Sequence, residues 1–319
     1  MTSMTFRVLI TDNVHEECAS FLRARGCHVD VKPSLTKEEL LKAVKEYDAI
    51  IVRGKTKFTR EVLMEANSLK VIGRAGVGLD NIDVEAASQK NIKVVSTPQA
   101  STVAVAEATM ALMLALMRMI PEANRTLKEG MWLKNKFMGC ELRGKTLGIV
   151  GFGRIGKAVA KRALSFEMRV IAYDVRDIRE EASAMGVEVA ESLEDLLKRC
   201  DILTLHIPLN KSTRGLIGER QISLMKRGAV IINTSRGGII DTKSLLKALK
   251  EDKLSGAALD VFEHEPPQTD EEWELIKLPN VVVTPHIASQ THEAQRSAGI
   301  MIAEEVLKAL NDTKITGTR

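Results

Sequence analysis

Three polar residues late in the chain could together move a proton. Arg236 follows the run Ile231–Ser235, Glu265 follows Leu259–Phe262, and His286 follows Val281–Pro285. Arginine's planar fork of donors can hold a carboxylate at two points. A carboxylate partner favours the imidazolium form of a histidine. Such a pair can give a proton to the alkoxide that develops when a ketone is reduced, and take it back when the alcohol is oxidised. Each residue also has a plainer reading: a surface ion pair, a solvated loop acid before Pro266-Pro267, a hydrogen-bonded core histidine. All three follow strand-like runs, however, and open α/β sheets bind ligands outside the carboxyl ends of their strands. The set therefore predicts acid–base chemistry on a small acid, with Arg236 on its carboxylate and His286 as proton donor. His206 is a rival because it too ends a strand-like run, Leu203–Ile207. It precedes Pro208 and has no acid near it in sequence, so it is assigned to a cofactor cleft.

Hydride transfer beside that proton would need a nicotinamide, and the sequence carries a cradle for one. Gly151-Phe152-Gly153-Arg154-Ile155-Gly156 follows the strand-like run Thr146–Val150 and leads into a helical stretch, Lys157–Ser165. In that context Gly151 permits the tight turn, Gly153 lets the backbone approach a pyrophosphate, and Gly156 lets helix and strand pack closely. The helix N-terminus then offers free N–H groups and the positive end of its dipole. Asp174, at the end of the next strand-like run, can accept hydrogen bonds from both ribose hydroxyls of NAD and repels the 2′-phosphate of NADP. Arg176 works the other way, since it could attract that phosphate.

The elements that must hold these residues alternate along the chain. Strand candidates Arg7–Thr11, His28–Val31, Ala49–Val52, Lys70–Gly73 and Lys93–Ser96 are separated by helical patterns such as Lys37–Lys45 and Arg60–Ala66. A second series comprises Thr146–Val150, Arg169–Tyr173, Asp201–Ile207, Ala229–Thr234, Gly256–Val261 and Asn280–Thr284. This rhythm predicts an α/β fold with doubly wound parallel sheets. An apolar helix over Val103–Met119 is expected to stop at Ile120-Pro121 and to be deeply buried or covered by a partner. Domain boundaries are placed at the Thr97-Pro98 turn and near residue 290.

Composition narrows the function classes. The 319 residues are 45% hydrophobic and 28% charged, which excludes a wholly disordered chain. The net charge of +4 comes from 46 basic and 42 acidic side chains with interspersed signs, a weak basis for nucleic-acid or membrane partners. Aromatic residues make up only 3%, too few for a base-stacking platform. Cys18, Cys27, Cys140 and Cys200 lack metal-ligand spacing, so no metal is expected, and four free thiols fit a reducing cytoplasm. The longest apolar stretch, Ala108–Met117, is about half of the ~20 residues that a membrane span needs.

The segments GRAGVGLDNID (73–83), WLKNKFMGCELRGKTLGIVGFGRIG (132–156), NTSRGGIIDTKSLLKAL (233–249), GAALDVFEHEPP (256–267) and TPHIASQTHEAQ (284–295) resemble the D-isomer-specific 2-hydroxyacid dehydrogenases. The resemblance extends over almost the whole chain. It implies a Rossmann cofactor domain, 99–290, inserted into a flavodoxin-like substrate domain formed by 1–98 and 291–319. It implies NAD as cofactor, a 2-hydroxy or 2-oxo acid as substrate, and a homodimer joined through the cofactor domain. It implies a catalytic triad of Arg236, Glu265 and His286. Cofactor contacts are implied at Val77, Arg154, Ile155, Asp174, His206, Pro208, Thr213, Thr234, Ser235, Asp260 and Ala288, besides the glycines. Substrate contacts are implied at Arg53, Arg74, Val77 and Gly78 together with Arg236 and His286. The Gly76-Val77-Gly78 turn suits that role, because backbone N–H groups can hold a carboxylate. Arg53, Arg74, Lys55 and Lys57 would favour a phosphorylated acid. Two residues depart from the family pattern: Gly54 stands where a serine is usual, and Ser96 where an asparagine often precedes the Thr-Pro turn. A reductase of glyoxylate or hydroxypyruvate and an NAD-sensing binding protein remain the alternatives. The C-terminal regulatory domain of longer relatives is expected to be missing.

Overall fold

The computed structural model describes residues 5–316, which divide into two compact units, one comprising 5–101 with 290–316 and the other Thr102–Ser289. In the first unit β1 (Arg7–Ile10), β2 (His28–Val31), β3 (Ala49–Val52), β4 (Val71–Arg74) and β5 (Lys93–Ser96) form a parallel sheet ordered β2-β1-β3-β4-β5. The sequence of β3, Ala-Ile-Ile-Val, is buried at every position, as a parallel strand covered on both faces requires. Val52 on β3 is in register with Arg74 on β4, so Arg53 and Arg74 both emerge at the carboxyl edge of this sheet. Helix His292–Thr316 lies on the same unit. A methyl group added to Gly73 would come within 2.4 Å of Val306 and 3.1 Å of Ile302, so the glycine in β4 admits the helix. Ion pairs Arg296–Glu17 (2.6 Å) and Lys93–Asp312 (2.9 Å) fasten its two ends.

In the second unit β6 (Thr146–Val150), β7 (Arg169–Tyr173), β8 (Glu188–Val189), β9 (Ile202–Leu205), β10 (Ala229–Asn233), β11 (Leu254–Leu259) and β12 (Val281–Val283) form a second parallel sheet, ordered β12-β11-β10-β9-β6-β7-β8. The strand order reverses between β6 and β9, the position at which open α/β sheets bind ligands. The turns that carry Asp174, His206, Arg236, Glu265 and His286 all follow the carboxyl ends of these strands.

Most elements fall where the sequence places them, with local corrections. β4 is shifted by one residue, β9 is shorter than Asp201–Ile207, and β11 starts at Leu254 rather than Gly256. The two-residue β8 is too short to leave a periodic signature. The helix after the glycine turn starts at Arg154, inside the motif, rather than at Lys157. The apolar helix runs Thr102–Met117, and Pro121 does not terminate it. Met119 adopts a left-handed conformation (φ 54°), and Pro121 sits in the first turn of helix Ile120–Lys128, where its missing N–H costs nothing. No single helix among the described residues is long and apolar enough to cross a membrane. The two helices that reach such a length together are bent by 65° at this break.

Candidate active site

The nucleotide turn is built by close approach. Gly151 has φ +92°, and a Cβ there would lie 2.4 Å from the His206 carbonyl oxygen. A Cβ on Gly156 would lie 2.1 Å from the Gly151 carbonyl oxygen, so the helix can start against the strand only without one. Helix Arg154–Ser165 has no side-chain cap at Gly153, which leaves its first N–H groups for a ligand. A Cβ on Gly153 would meet no protein atom within 4 Å. Asp174 is held by the turn itself: the Phe152 N–H donates to its carboxylate at 2.8 Å, and Arg176 donates from its backbone N–H (3.0 Å) and its guanidinium (3.2 Å). Burial pushes the Asp174 carboxyl up, but Arg176 and the Phe152 N–H outweigh it and hold the group below the usual carboxylate range. These features fit a dinucleotide, with the uncapped helix end for its phosphates and Asp174 for a ribose.

In the same unit, His286 Nδ1 lies 2.6 Å from Glu265 Oε2. Both side chains keep an exposed portion, 44% for His286 and 38% for Glu265, so the pair can meet a ligand. Burial raises the Glu265 carboxyl, but hydrogen bonding to His286, the Phe262 N–H at 3.2 Å and the positive charge of Arg236 together hold it lowered and ionised. The field of Arg236 at Glu265 joins the third residue to the pair.

Each member is positioned by a buried polar group. Asn233, the last residue of β10, accepts the Ser235 N–H (3.1 Å) and hydroxyl (2.9 Å) and donates to the Arg236 carbonyl oxygen (2.9 Å). Buried Glu272 accepts the N–H groups of His264 (2.9 Å), Gln268 (3.0 Å) and Thr269 (3.1 Å), which shapes the loop carrying Glu265. Fully buried Asp260 accepts the Thr284 hydroxyl (2.6 Å) and the N–H groups of Ile287 (2.8 Å) and Ala288 (2.9 Å). Its carbonyl oxygen accepts the His286 N–H at 2.8 Å, and His286 itself takes a left-handed φ of 55°. Sequence reasoning missed Asn233 and Glu272. The signal for Asn233 was available: a polar side chain closing the otherwise apolar strand Ala-Val-Ile-Ile-Asn.

The other expected cofactor residues lie in the same unit, apart from Val77. The Thr234 hydroxyl is 2.8 Å from that of Thr109. The Thr213 hydroxyl donates to the Pro208 carbonyl oxygen at 2.7 Å and accepts the Asn210 N–H at 2.8 Å, which ties together the loop after His206. His206 has Nε2 3.0 Å from the Thr204 hydroxyl, and its buried Nδ1 has no hydrogen-bond partner in the protein. Desolvation pushes its pKa down to about 3. A ring held neutral has no imidazolium proton to give, which favours His286 over His206 as the acid. The neutral state also predicts an acid liability. Below the unfolded-state value of about 6.5 the unfolded chain binds a proton that the native ring refuses. Stability should therefore fall as pH drops below that value. Wild type should lose about 1–2 kcal/mol more than His206→Gln between pH 7 and pH 5, after allowance for the ring's partial solvent access. Parallel melting curves of the two proteins over that range would contradict this.

On the first unit, Arg53, Arg74, Val77 and Gly78 lie at the carboxyl ends of β3 and β4 or just beyond them, with Lys55 and Lys57 exposed nearby. Gly76 (φ 146°) makes room for Arg74, since a Cβ there would overlap the guanidinium Nη1 at 1.6 Å.

Residues 110–288 match the family model described as D-isomer specific 2-hydroxyacid dehydrogenase, NAD binding domain. The chain belongs to this family. Among curated relatives, a D-3-phosphoglycerate dehydrogenase from Methanocaldococcus jannaschii is 52% identical over 304 residues, 95% of this chain and 57% of that protein. A hydroxypyruvate reductase from Thermotoga maritima is 45% identical over 305 residues, 96% of this chain and 98% of that protein. The chain thus spans little more than half the length of the first relative and almost all of the second. Among solved structures, the D-lactate dehydrogenase of Aquifex aeolicus, complexed with NAD and lactic acid, aligns with a TM-score of 0.84 at 33% identity over 98% of this chain and 97% of that one.

Proposed function

We propose that this family member is an NAD-dependent D-2-hydroxyacid dehydrogenase that interconverts 3-phosphoglycerate and 3-phosphohydroxypyruvate, a reaction of serine biosynthesis, in the cytoplasm. The observation that carries the reading is the His286–Glu265 pair at 2.6 Å, under the field of Arg236, in the unit that holds the nucleotide turn. The Gly151–Gly156 turn and Asp174 would hold the nucleotide, which would supply a hydride acceptor as NAD and a hydride donor as NADH for the hydroxyl-bearing carbon. His286 takes the hydroxyl proton in the oxidation and gives it back in the reduction, while ionised Glu265 stabilises the imidazolium. Arg236 holds the substrate carboxylate. Arg53 and Arg74 supply further cationic donors, which suit the added charge of a phosphate.

The second reading, a reductase of hydroxypyruvate or glyoxylate, is favoured by the 45% identity to the Thermotoga relative and by Gly54 and Ser96 on the substrate side. Steady-state kinetics with 3-phosphohydroxypyruvate, hydroxypyruvate, glyoxylate and pyruvate, each with NADH and NADPH, separates the two. At least a ten-fold preference for the phosphorylated acid is expected, since one charge-assisted bond contributes about 1.5–3 kcal/mol and ~1.4 kcal/mol is a factor of ten. Equal efficiency with glyoxylate supports the second reading. No turnover of any acid leaves an NAD-sensing binding protein.

Asp174 should make NADH the preferred nucleotide. Asp174→Ala removes the group that repels a 2′-phosphate and frees Arg176 from its ion pair, so the gap between NADH and NADPH should narrow. A wild-type preference for NADPH would sink this reading.

The protein is further proposed to be a homodimer. Trp132 is 79% exposed and Met138 86% exposed, on the arm that follows the helix bearing exposed Ile120 and Leu127. Large apolar side chains clustered in this way mark an association surface. A single species of twice the chain mass is expected in light scattering at micromolar concentration, and a monomer there contradicts the assignment.

A further inference from the structure

The loop Arg53-Gly54-Lys55-Thr56 follows β3 at the carboxyl edge of its sheet, and its backbone is held by two side chains. Asp12, just past the end of β1, is buried at 4% exposure, yet among the described residues no side-chain cation donates to its carboxylate. One oxygen instead accepts the backbone N–H groups of Arg53 (2.7 Å) and Lys55 (3.1 Å). The other accepts the Thr56 hydroxyl at 2.6 Å, and the Thr56 N–H is shared between the two at 3.3 and 3.4 Å. The Asn81 amide in turn donates to the carbonyl oxygens of Thr56 (2.7 Å) and Arg53 (3.3 Å). A buried carboxylate is costly unless its lone pairs are filled, and here backbone donors of a single loop fill them. An exposed four-residue loop after a strand has no intrinsic reason to hold one conformation, and these contacts supply it.

We infer that Asp12, with Asn81, is the positioning residue of the substrate-binding loop: it fixes the direction in which Arg53 leaves the backbone and so sets affinity for the acid. The inference rests on the reading above in which Arg53 binds the acid. Neither Asp12 nor Asn81 touches the acid; both act through the loop. The contacts also define which substitutions matter. Asp12→Asn keeps an oxygen for the Arg53 and Lys55 N–H groups, and the Thr56 hydroxyl can turn to accept from the new amide. Asp12→Ala leaves the backbone N–H groups of Arg53, Lys55 and Thr56 without that acceptor, while the Thr56 hydroxyl keeps the Thr11 hydroxyl at 2.9 Å.

The test uses the intact protein with NADH and the preferred 2-oxo acid. Asp12→Ala should raise KM for the acid by about ten-fold or more, the scale on which small displacements of a positioned group act. The NADH dissociation constant should be unchanged and kcat should stay within about three-fold. Asp12→Asn should restore most of the affinity, and Asn81→Ala should shift KM in the same direction as Asp12→Ala. Amide hydrogen exchange of the 53–56 segment should accelerate in Asp12→Ala and not in Asp12→Asn. A purely structural role would lower Tm in Asp12→Ala and leave the KM-to-kcat ratio as in wild type, and that result overturns the inference. Unchanged exchange of 53–56 in Asp12→Ala overturns it as well. Failure of the functional reading looks different, because wild type itself would then turn over none of the acids.

Discussion

Replacing His286 with alanine should lower turnover by about 10²–10⁴ while NADH still binds with near-native affinity. The ring lies 2.6 Å from Glu265 at the carboxyl edge of the second sheet and keeps an accessible face, whereas the neighbouring His264 is paired with buried Glu272 at 3.2 Å. On the proposed reading its removal takes away the proton donor of the reduction without touching the glycine turn or Asp174. Binding followed by nucleotide fluorescence, and turnover followed by NADH absorbance, separate the two effects. Near-normal turnover in His286→Ala would return His206 to candidacy despite its low pKa.

Asp260→Ala should come close to that loss, with about a 10²-fold lower kcat, although Asp260 is fully buried and has no exposed atom to offer a substrate. Its carboxylate accepts three donors from residues 284–288. Without it two backbone N–H groups are left unpaired, at a cost of about 1–3 kcal/mol each, and the left-handed turn at His286 loses its anchor. The family resemblance implies a cofactor contact for Asp260, and its contacts in the structure hold the histidine loop. Calorimetric titration with NADH tells these roles apart. A positioning role leaves NADH affinity within a few-fold and lowers both kcat and Tm. A large loss of NADH affinity with kcat preserved would contradict the positioning role.

The legible parts of this site are those whose chemistry depends on local order. The glycine turn with its strand, helix and acid occupies one βαβ unit, so sequence spacing alone locates Gly151, Gly153, Gly156 and Asp174. Arg236, Glu265 and His286 could be found because each follows a strand-like apolar run. The groups that position them were not legible for the opposite reason. Asp12 meets Arg53, and Asp260 meets Ala288, only after parallel strands come into register across long stretches of chain. Nothing in its neighbours' identities marks Asp12, and Asp260 is named only through the family resemblance, as a cofactor contact rather than as the anchor of the histidine loop. Glu272 looks like an ordinary acid in the first turn of a helix, and only its burial shows that it also shapes the loop bearing Glu265. Helix boundaries failed where a single backbone conformation decides them, as at Met119, whose left-handed φ replaces the stop expected from Pro121.

The closure of the first sheet by helix His292–Thr316 has a consequence for the order in which the chain acquires its structure during synthesis. The second unit is one continuous stretch of chain and has emerged in full by Ser289. The first unit begins to emerge earlier, yet the face of β4 at Gly73 stays uncovered until Ile302 and Val306 leave the ribosome. The part of the molecule made first is therefore the last to be finished, and its apolar sheet must be shielded from aggregation while the inserted unit folds.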